Sequence, residues 1–402
     1  MFEPFSRTDQ RRWGEVYLRG LLLDGRRKSV EPMAARLGED GNRQALANFT
    51  TTSPWDAAHV RARLAWRMQQ VIKPTALIVD DTGFLKDGDA SACVARQYTG
   101  TAGKVTNCLA GVSLHLASDA ASASVDWRLF LPESWDPASP KADPAKAARR
   151  TKCGIPEEVG HVEKWQLALD MIDETRSWGI EVPLVVADGG YGDAAAFRLG
   201  LEERALDYVV GISTTTTAQP EEARPCIPPY GGRGPRPQPV LPRAGPGREE
   251  AGHRGWQAGG EAGAVAGRLP PGQRPQRFEA DVLAVRGPAD QARRTRDPQE
   301  SRRTRTTCAL AAGRMARHRV RTRAVLAVQP ARRHSAGHSL RTAKLRWRIE
   351  NDYREMKQVL GLAHFEGRTW RGWDHHVTLV SVAHAFCTPQ RITRSPKETA
   401  PA

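Results

Sequence analysis

Three carboxylates and two cations carry the chemical content of this chain. Asp80 and Asp188 each follow a short apolar run rich in β-branched residues, 75–79 and 182–187. A carboxylate at the end of a rigid strand is well placed to hold a hard divalent cation, which takes oxygen ligands completed by water and substrate phosphate. The third acid, Glu350, lies between Arg346 and Lys357. On an α-helix at about 100° per residue, Arg346, Glu350, Tyr353 and Lys357 fall within about 60° of one another. Leu345, Ile349, Met356 and Leu360 form an apolar stripe beside that face. Glu355, about 180° from Arg346, is expected on a far, polar side with Asn351 and Gln358. Three carboxylates can hold two ions a few Å apart, the arrangement that clamps the attacking and leaving oxygens of a phosphodiester. Each part also has a plainer alternative: the aspartates as turn or cap residues, the helix as a solvated surface with weak i,i+4 salt links. Taken together the three acids say more than each does singly. Asp81 adjoins Asp80 and stays open as the first ligand.

The elements that must position these groups follow from periodicity. Residues 1–73 read as helices: 10–24, 28–37, 43–49, and a longer one opened by Ser53-Pro54-Trp55-Asp56 and running to 72. They could dock on DNA or form a helical lid. From Pro74 the character changes. Strands are expected at 75–79, 92–98, 109–117 and 125–131, separated by Gly- and Ser-containing turns that suggest an antiparallel meander. Residues 146–152 are basic and loop-like, and 158–178 helical. A buried strand at 182–187, a helix at 194–203 and a strand at 207–212 complete the pattern of an α/β domain with a mixed sheet.

Residues 221–340 belong to a different population. They hold 23 Arg, no Lys, 10 acidic residues, 14 Pro and 15 Gly, and carry +13 of the formal +15. No periodic apolar pattern persists there, so the stretch cannot fill a core of its own. One explanation is a disordered, Arg-rich nucleic-acid-binding insert. The favoured one is translation out of frame, because a slip in GC-rich DNA yields Arg, Ala, Gly and Pro with almost no Lys or aromatic residues. Net charge alone is then a poor guide to function, and the case for DNA must rest on motifs. The expected organisation is a helical region at 1–73, a core at 74–220, the anomalous insertion at 221–340, a helical completion of the core at 341–390, and a tail at 391–402.

The segments LIVDDTGF, VVADGGYGD and RWRIENDYREMK resemble the three acidic motifs of the DDE transposases of bacterial insertion sequences. The last is similar to the branch signature Tyr-x2-Arg-x3-Glu-x6-Lys at Arg346, Glu350 and Lys357, with Ala343 standing where the signature has Tyr. The segments 44–56, 96–108, 125–135 and 361–373 resemble the same family, so the likeness covers about 5–213 and 341–400. It implies an RNase H-like fold in which a β-rich insertion separates the second Asp from the Glu. It implies Asp80, Asp188 and Glu350 as catalytic metal ligands, with Asp81 the alternative first ligand and two Mg²⁺ (or Mn²⁺) ions bound. Arg346, Lys357 and Tyr353 would then face DNA. The implied reaction is cleavage of the element ends and transfer of the freed 3′-OH into target DNA, with a homodimer in the synaptic complex. A DNA-binding-only or inactive remnant is the alternative.

Other candidates are weaker. Residues 100–104, GTAGK, are too short for a phosphate-binding P-loop. His375-His376 reads as a helix-start pair, and His115 as a strand residue. Ser113 and Cys108 have no adjacent base in sequence. Trp370 and Trp373, with Arg368 and Arg371, could stack on DNA or pack in the core. The six cysteines form no CxxC pair, which points away from a zinc site or disulfide framework. No apolar run approaches the ~18 residues of a membrane span, and a soluble, cytoplasmic, nucleoid-associated protein is expected.

Overall fold

The computed structural model describes residues 1–3, 5–213, 226–227, 229–232, 234, 281–282, 325–329 and 336–394. Most of 221–340 lies outside them, and the expectation of a disordered or out-of-frame insertion lies there too. Two compact units are present, one of Met1–Val186 with Lys344–Ala402 and one of Ala187–Ala343.

The first unit opens with four helices, α1 (Thr8–Leu22), α2 (Val30–Leu37), α3 (Arg43–Thr51) and α4 (Ala57–Ile72). The last begins later than the sequence suggests. Asp56 rather than Ser53 is its cap, accepting a hydrogen bond from Ala58 N at 2.8 Å, so Pro54 stays outside. Four strands follow: β1 (Ala76–Leu85), β2 (Ala95–Thr99), β3 (Lys104–Ala117) and β4 (Ser122–Leu129). They do not form a simple meander. β3 pairs antiparallel with β1 along one edge, and with β2 and then β4 along the other. A register shift at Leu114/His115 bends the β3–β4 pair.

β1 is the main departure from expectation. Two adjacent carboxylates signal a turn, yet the strand runs through them, pairing Asp80 with Ser113 and Asp81 with Val112. Backbone pairing with β3 outweighs that local signal. Residues 76–79 are fully buried, which explains their continuous apolar run.

Two helices lie on the return path. α5 (Pro144–Cys153) replaces the expected loop, because Asp143 caps it, Pro144 sits at its first turn and Gly154 closes it at φ 62°. α6 (Lys164–Ser177) is followed by β5 (Leu184–Ala187), which lies beside β1 in the sheet. In the second unit come a single turn, α7 (Gly189–Gly192), then α8 (Ala195–Glu203) and β6 (Asp207–Ile212). There, β8 (Val325–Gln329) pairs antiparallel with β6 and parallel with β7 (Asp281–Val282). The chain is therefore α/β with a mixed sheet, as an RNase H-like core requires. The chain returns as α9 (Ala336–Gln358), its side chains described from Lys344 on, and ends as α10 (Trp370–Arg394). Among the described residues no helix is long and apolar enough to cross a membrane.

α10 is the spine of the first unit. Trp373 lies in the core, edge-on to Trp127 and Phe84, where a Cβ on Gly111 would come within 2.7 Å of its ring. A stacking role on DNA is thereby excluded for Trp373, while Trp370 is half-buried and Arg368 and Arg371 are exposed. His375 and His376 are buried inside the helix rather than placed at its start. His376 accepts from Tyr17 Oη at 3.0 Å and donates to the Gly361 carbonyl at 3.1 Å, which suits the neutral ring. Burial drives its pKa from the ordinary 6.5 down to about 4. The unfolded chain therefore binds this proton more readily. Stability is full above the unfolded pKa and is lost as pH falls toward the folded one, by up to roughly 3 kcal/mol. Urea denaturation at pH 7 and pH 4.5 should show the loss, and His376→Gln should reduce it without abolishing it, because burial lowers His375 to about 4 as well; an unchanged slope in the variant would contradict the assignment.

Candidate active site

Strand alternation turns Asp80 and Asp81 to opposite faces of β1. The Asp80 side chain faces α9, where Arg346 Nη1 lies 3.5 Å from its Oδ2, and its Oδ1 accepts from Asp81 N at 2.8 Å. Arg346 Nη2 also lies 3.8 Å from Glu350 Oε1, one helical turn on. One guanidinium is thus flanked by the two carboxylates. Asp80 is largely buried and Glu350 is 42% exposed, so the pair opens to solvent on the Glu350 side. Asp81 instead meets Lys164 of α6 at 2.5 Å, and that ammonium lies over the Phe130 ring.

Lys357 reaches the same edge of β1. Its ammonium donates to Thr82 Oγ1 at 2.7 Å, Gly83 O at 3.1 Å and Thr101 Oγ1 at 2.8 Å. Burial lowers its pKa to about 8, against the opposing pull of the Asp80 charge. Leu345, Ile349, Met356 and Leu360 are buried as the apolar stripe requires.

Tyr353 departs from the exposed face expected of it. Two positions from Asn351 and four before Lys357, it points into the core, with its ring edge-on to His115 and its hydroxyl 2.6 Å from Ser113 Oγ. Burial raises its pKa well above the ordinary value. Its side chain is therefore placed to orient α9 on β3 rather than to meet DNA. Glu355 is likewise not on a free polar side: it pairs with His384 at 3.4 Å and with Arg391 of α10.

A buried polar chain, missed in the sequence, connects these groups. Ser113 Oγ lies 2.9 Å from His115 Nε2, and His115 Nδ1 lies 3.4 Å from Asp352 Oδ2. Burial lowers the His115 pKa, keeping the ring neutral. Burial opposes the Asp352 charge, but His115 and His384 outweigh it and hold its carboxyl below the usual range. With Nδ1 carrying the ring proton toward Asp352, Nε2 accepts from Ser113 and Ser113 accepts from Tyr353. Ser113 does have a base, two residues on along the strand, where i and i+2 share a face. The serine, histidine and aspartate are all buried, at 0%, 0% and 6% exposure, so this is a brace and not a nucleophilic site. Ser113→Ala should leave the Tyr353 hydroxyl and His115 Nε2 without their partner and cost about 1–3 kcal/mol. Tyr353→Phe should cost less, because one acceptor is then all that goes unmet. Paired melting curves compare the two, and equal losses would count against this polarity.

Residues 1–263 match the family model described as DDE superfamily endonuclease, and residues 156–386 match the one described as Transposase DDE domain. The chain belongs to the DDE superfamily. A probable transposase for insertion sequence element IS701 from Microchaete diplosiphon is 32% identical to it over 196 residues, 48% of this chain and 46% of that protein. The match thus spans about half the length of that curated relative.

In this DDE chain the remaining acid, Asp188, opens the second unit. Its Oδ1 accepts from Gly190 N at 2.9 Å and so caps α7. Among the described residues no group of three or more His, Cys, Asp or Glu side chains is placed to hold a metal ion. The donor chemistry nevertheless fits a hard divalent cation: Asp80 and Glu350 are both carboxylates, and both already face one positive charge.

Proposed function

We propose that this chain is a DNA transposase that cuts the ends of its own insertion sequence and joins the freed 3′-OH to target DNA. The observation that carries this is the guanidinium of Arg346 between Asp80 and Glu350, two acids from a central strand and a packed helix. Carboxylates on rigid elements hold a reacting group more accurately than carboxylates on loops.

On this reading Asp80, Asp188 and Glu350 hold the divalent ions, Mg²⁺ or Mn²⁺ and two in number. Bound there, the metal supplies charge neutralisation at the phosphate and a water of lowered pKa. Asp80 is favoured over Asp81 because Asp81 is engaged by Lys164 on the other face of the strand. Arg346 neutralises the acid pair and, on this reading, meets a phosphate oxygen. Lys357 adds positive potential beside Thr82 and Gly83, two and three residues past Asp80, for a DNA backbone to meet. Tyr353 serves by bracing α9. The substrates are duplex DNA of the element ends and of the target, and two copies of the chain would pair the ends.

Incubating the chain with linear duplexes that carry the element's own ends, in Mg²⁺ or in EDTA, tests the reading. Cutting at the ends in Mg²⁺ alone is the expected result. A gel shift with no cutting in either condition would leave a DNA-binding-only protein.

A further inference from the structure

The β2–β3 hairpin, residues 95–108, has surface features that the carboxylate site does not account for. Its two strands pair in register from Ala95↔Cys108 to Thr99↔Lys104. One face looks inward. Thr99 is buried, and its Oγ1 occupies the place where a Cβ on Gly83 would fall, at 2.0 Å. Thr101 Oγ1 donates to Gly83 O at 3.2 Å and accepts from Lys357 Nζ at 2.8 Å. The hairpin tip is therefore fastened to β1 and to the helix that carries Glu350.

The other face looks outward and, among the described residues, has no cover. Tyr98 and Val105 are direct cross-strand partners, 66% and 54% exposed. Exposed apolar side chains are ordinary singly, but an aromatic and a branched residue paired across a ribbon form a contact surface. Arg96, two residues from Tyr98 and on the same face, is exposed; Lys104 is exposed too, at the turn and opposite Thr99 on the other face, and among the described residues neither is ion-paired. No acidic residue occurs from Cys93 to Ser118. At the tip, a Cβ on Gly100 would meet nothing within 4 Å and no left-handed φ demands glycine there, so bare backbone faces solvent.

We propose that this hairpin is a DNA-contacting ribbon for the segment adjoining the cut. Tyr98 packs on a base or sugar, Val105 widens that apolar contact, Arg96 beside them pairs with a backbone phosphate, and Lys104 at the turn meets another from the ribbon's end. An aromatic flanked by cations and free of carboxylates is the surface that suits a nucleic-acid strand. A two-stranded ribbon also fits the width of a major groove. A protein partner of acidic character would meet the cations equally, but the tip's attachment to Lys357 ties the ribbon to the helix that carries Glu350, along which the DNA would run. The inference rests on the transposase reading for the identity of the DNA. Its geometry lies wholly within the first unit.

The test is fluorescence anisotropy of labelled element-end duplex in EDTA, which reads binding without catalysis, alongside cleavage in Mg²⁺. Tyr98→Ala should weaken binding by roughly 5- to 100-fold, while Tyr98→Phe, which keeps the ring, should bind like the parent. Arg96→Ala with Lys104→Ala should make the salt dependence shallower by about two phosphate contacts. All these side chains are exposed, so melting temperatures should match the parent. A parent that binds and cuts, with variants that bind equally well, would overturn the ribbon and leave the catalytic reading standing. A parent that binds without cutting, with weakened variants, would do the reverse. Loss of self-association in the Tyr98→Ala protein, with DNA affinity unchanged, would assign the face to a second copy and also overturn it.

Discussion

Glu350→Gln should reduce cleavage of element-end DNA by at least about 10³-fold while the protein folds as before. The loss corresponds to roughly 4 kcal/mol of transition-state stabilisation, the scale expected when a charged metal ligand becomes a neutral amide. Folding should be spared because Glu350 is 42% exposed and its contact with Arg346 is 3.8 Å long. An exposed pair of that kind is worth about 1 kcal/mol at most. Thermal melting with and without Mg²⁺ provides a readout independent of activity. Ligand binding to the native state raises the melting temperature by mass action, so the parent should gain stability in Mg²⁺ and the variant should gain much less. Equal cutting by the two proteins would remove Glu350 from the catalytic assignment.

The second large effect lies far from the acids. Arg61 of α4 is almost fully buried, with Nε 2.9 Å from Asp126 of β4 and Nη1 2.7 Å from Asp374 of α10. Asp126 is completely buried and also pairs with Arg128 at 2.8 Å, which in turn pairs with Glu174 of α6. This network ties three helices to the sheet. Arg61→Met should cost about 3–5 kcal/mol, because it strips a buried carboxylate of one of its two cations. Adding Asp126→Asn should restore part of that loss, since the uncompensated charge is then gone. Chemical denaturation of the two variants measures both numbers. A double variant no more stable than Arg61→Met would show that the network acts through something other than charge balance.

These two expectations rest on different kinds of information. The Glu350 position was legible in the sequence, because Arg346, Glu350 and Lys357 share a helical face that periodicity alone exposes. Several helices and β6 were legible for the same reason, and β6 keeps the bounds 207–212. The Arg61 network was not legible, since its members are 313 residues apart at the extreme, Arg61 to Asp374. No local pattern marks an arginine as buried. Helix α5 was missed because its basic, Ala-rich content carries little apolar periodicity, although Asp143-Pro144 and Gly154 were start and stop signals in plain view.

The sequence by itself determined the family motifs, the α/β character, and the helix that presents a carboxylate between two cations. Local spacing suffices for these, since helical and strand periods decide which side chains share a face. Tertiary structure alone decided the rest. Pairing with β3 carried β1 through the acid pair and turned Asp80 toward α9 and Asp81 toward Lys164. Burial against His115 and Ser113 took Tyr353 from the expected DNA face into a brace. Folding of the β2–β3 hairpin onto Gly83 drew Thr101 to Lys357 and left Tyr98 facing outward. Each of these is a contact between segments distant in sequence, and its free energy depends on which surfaces the packed core excludes from water.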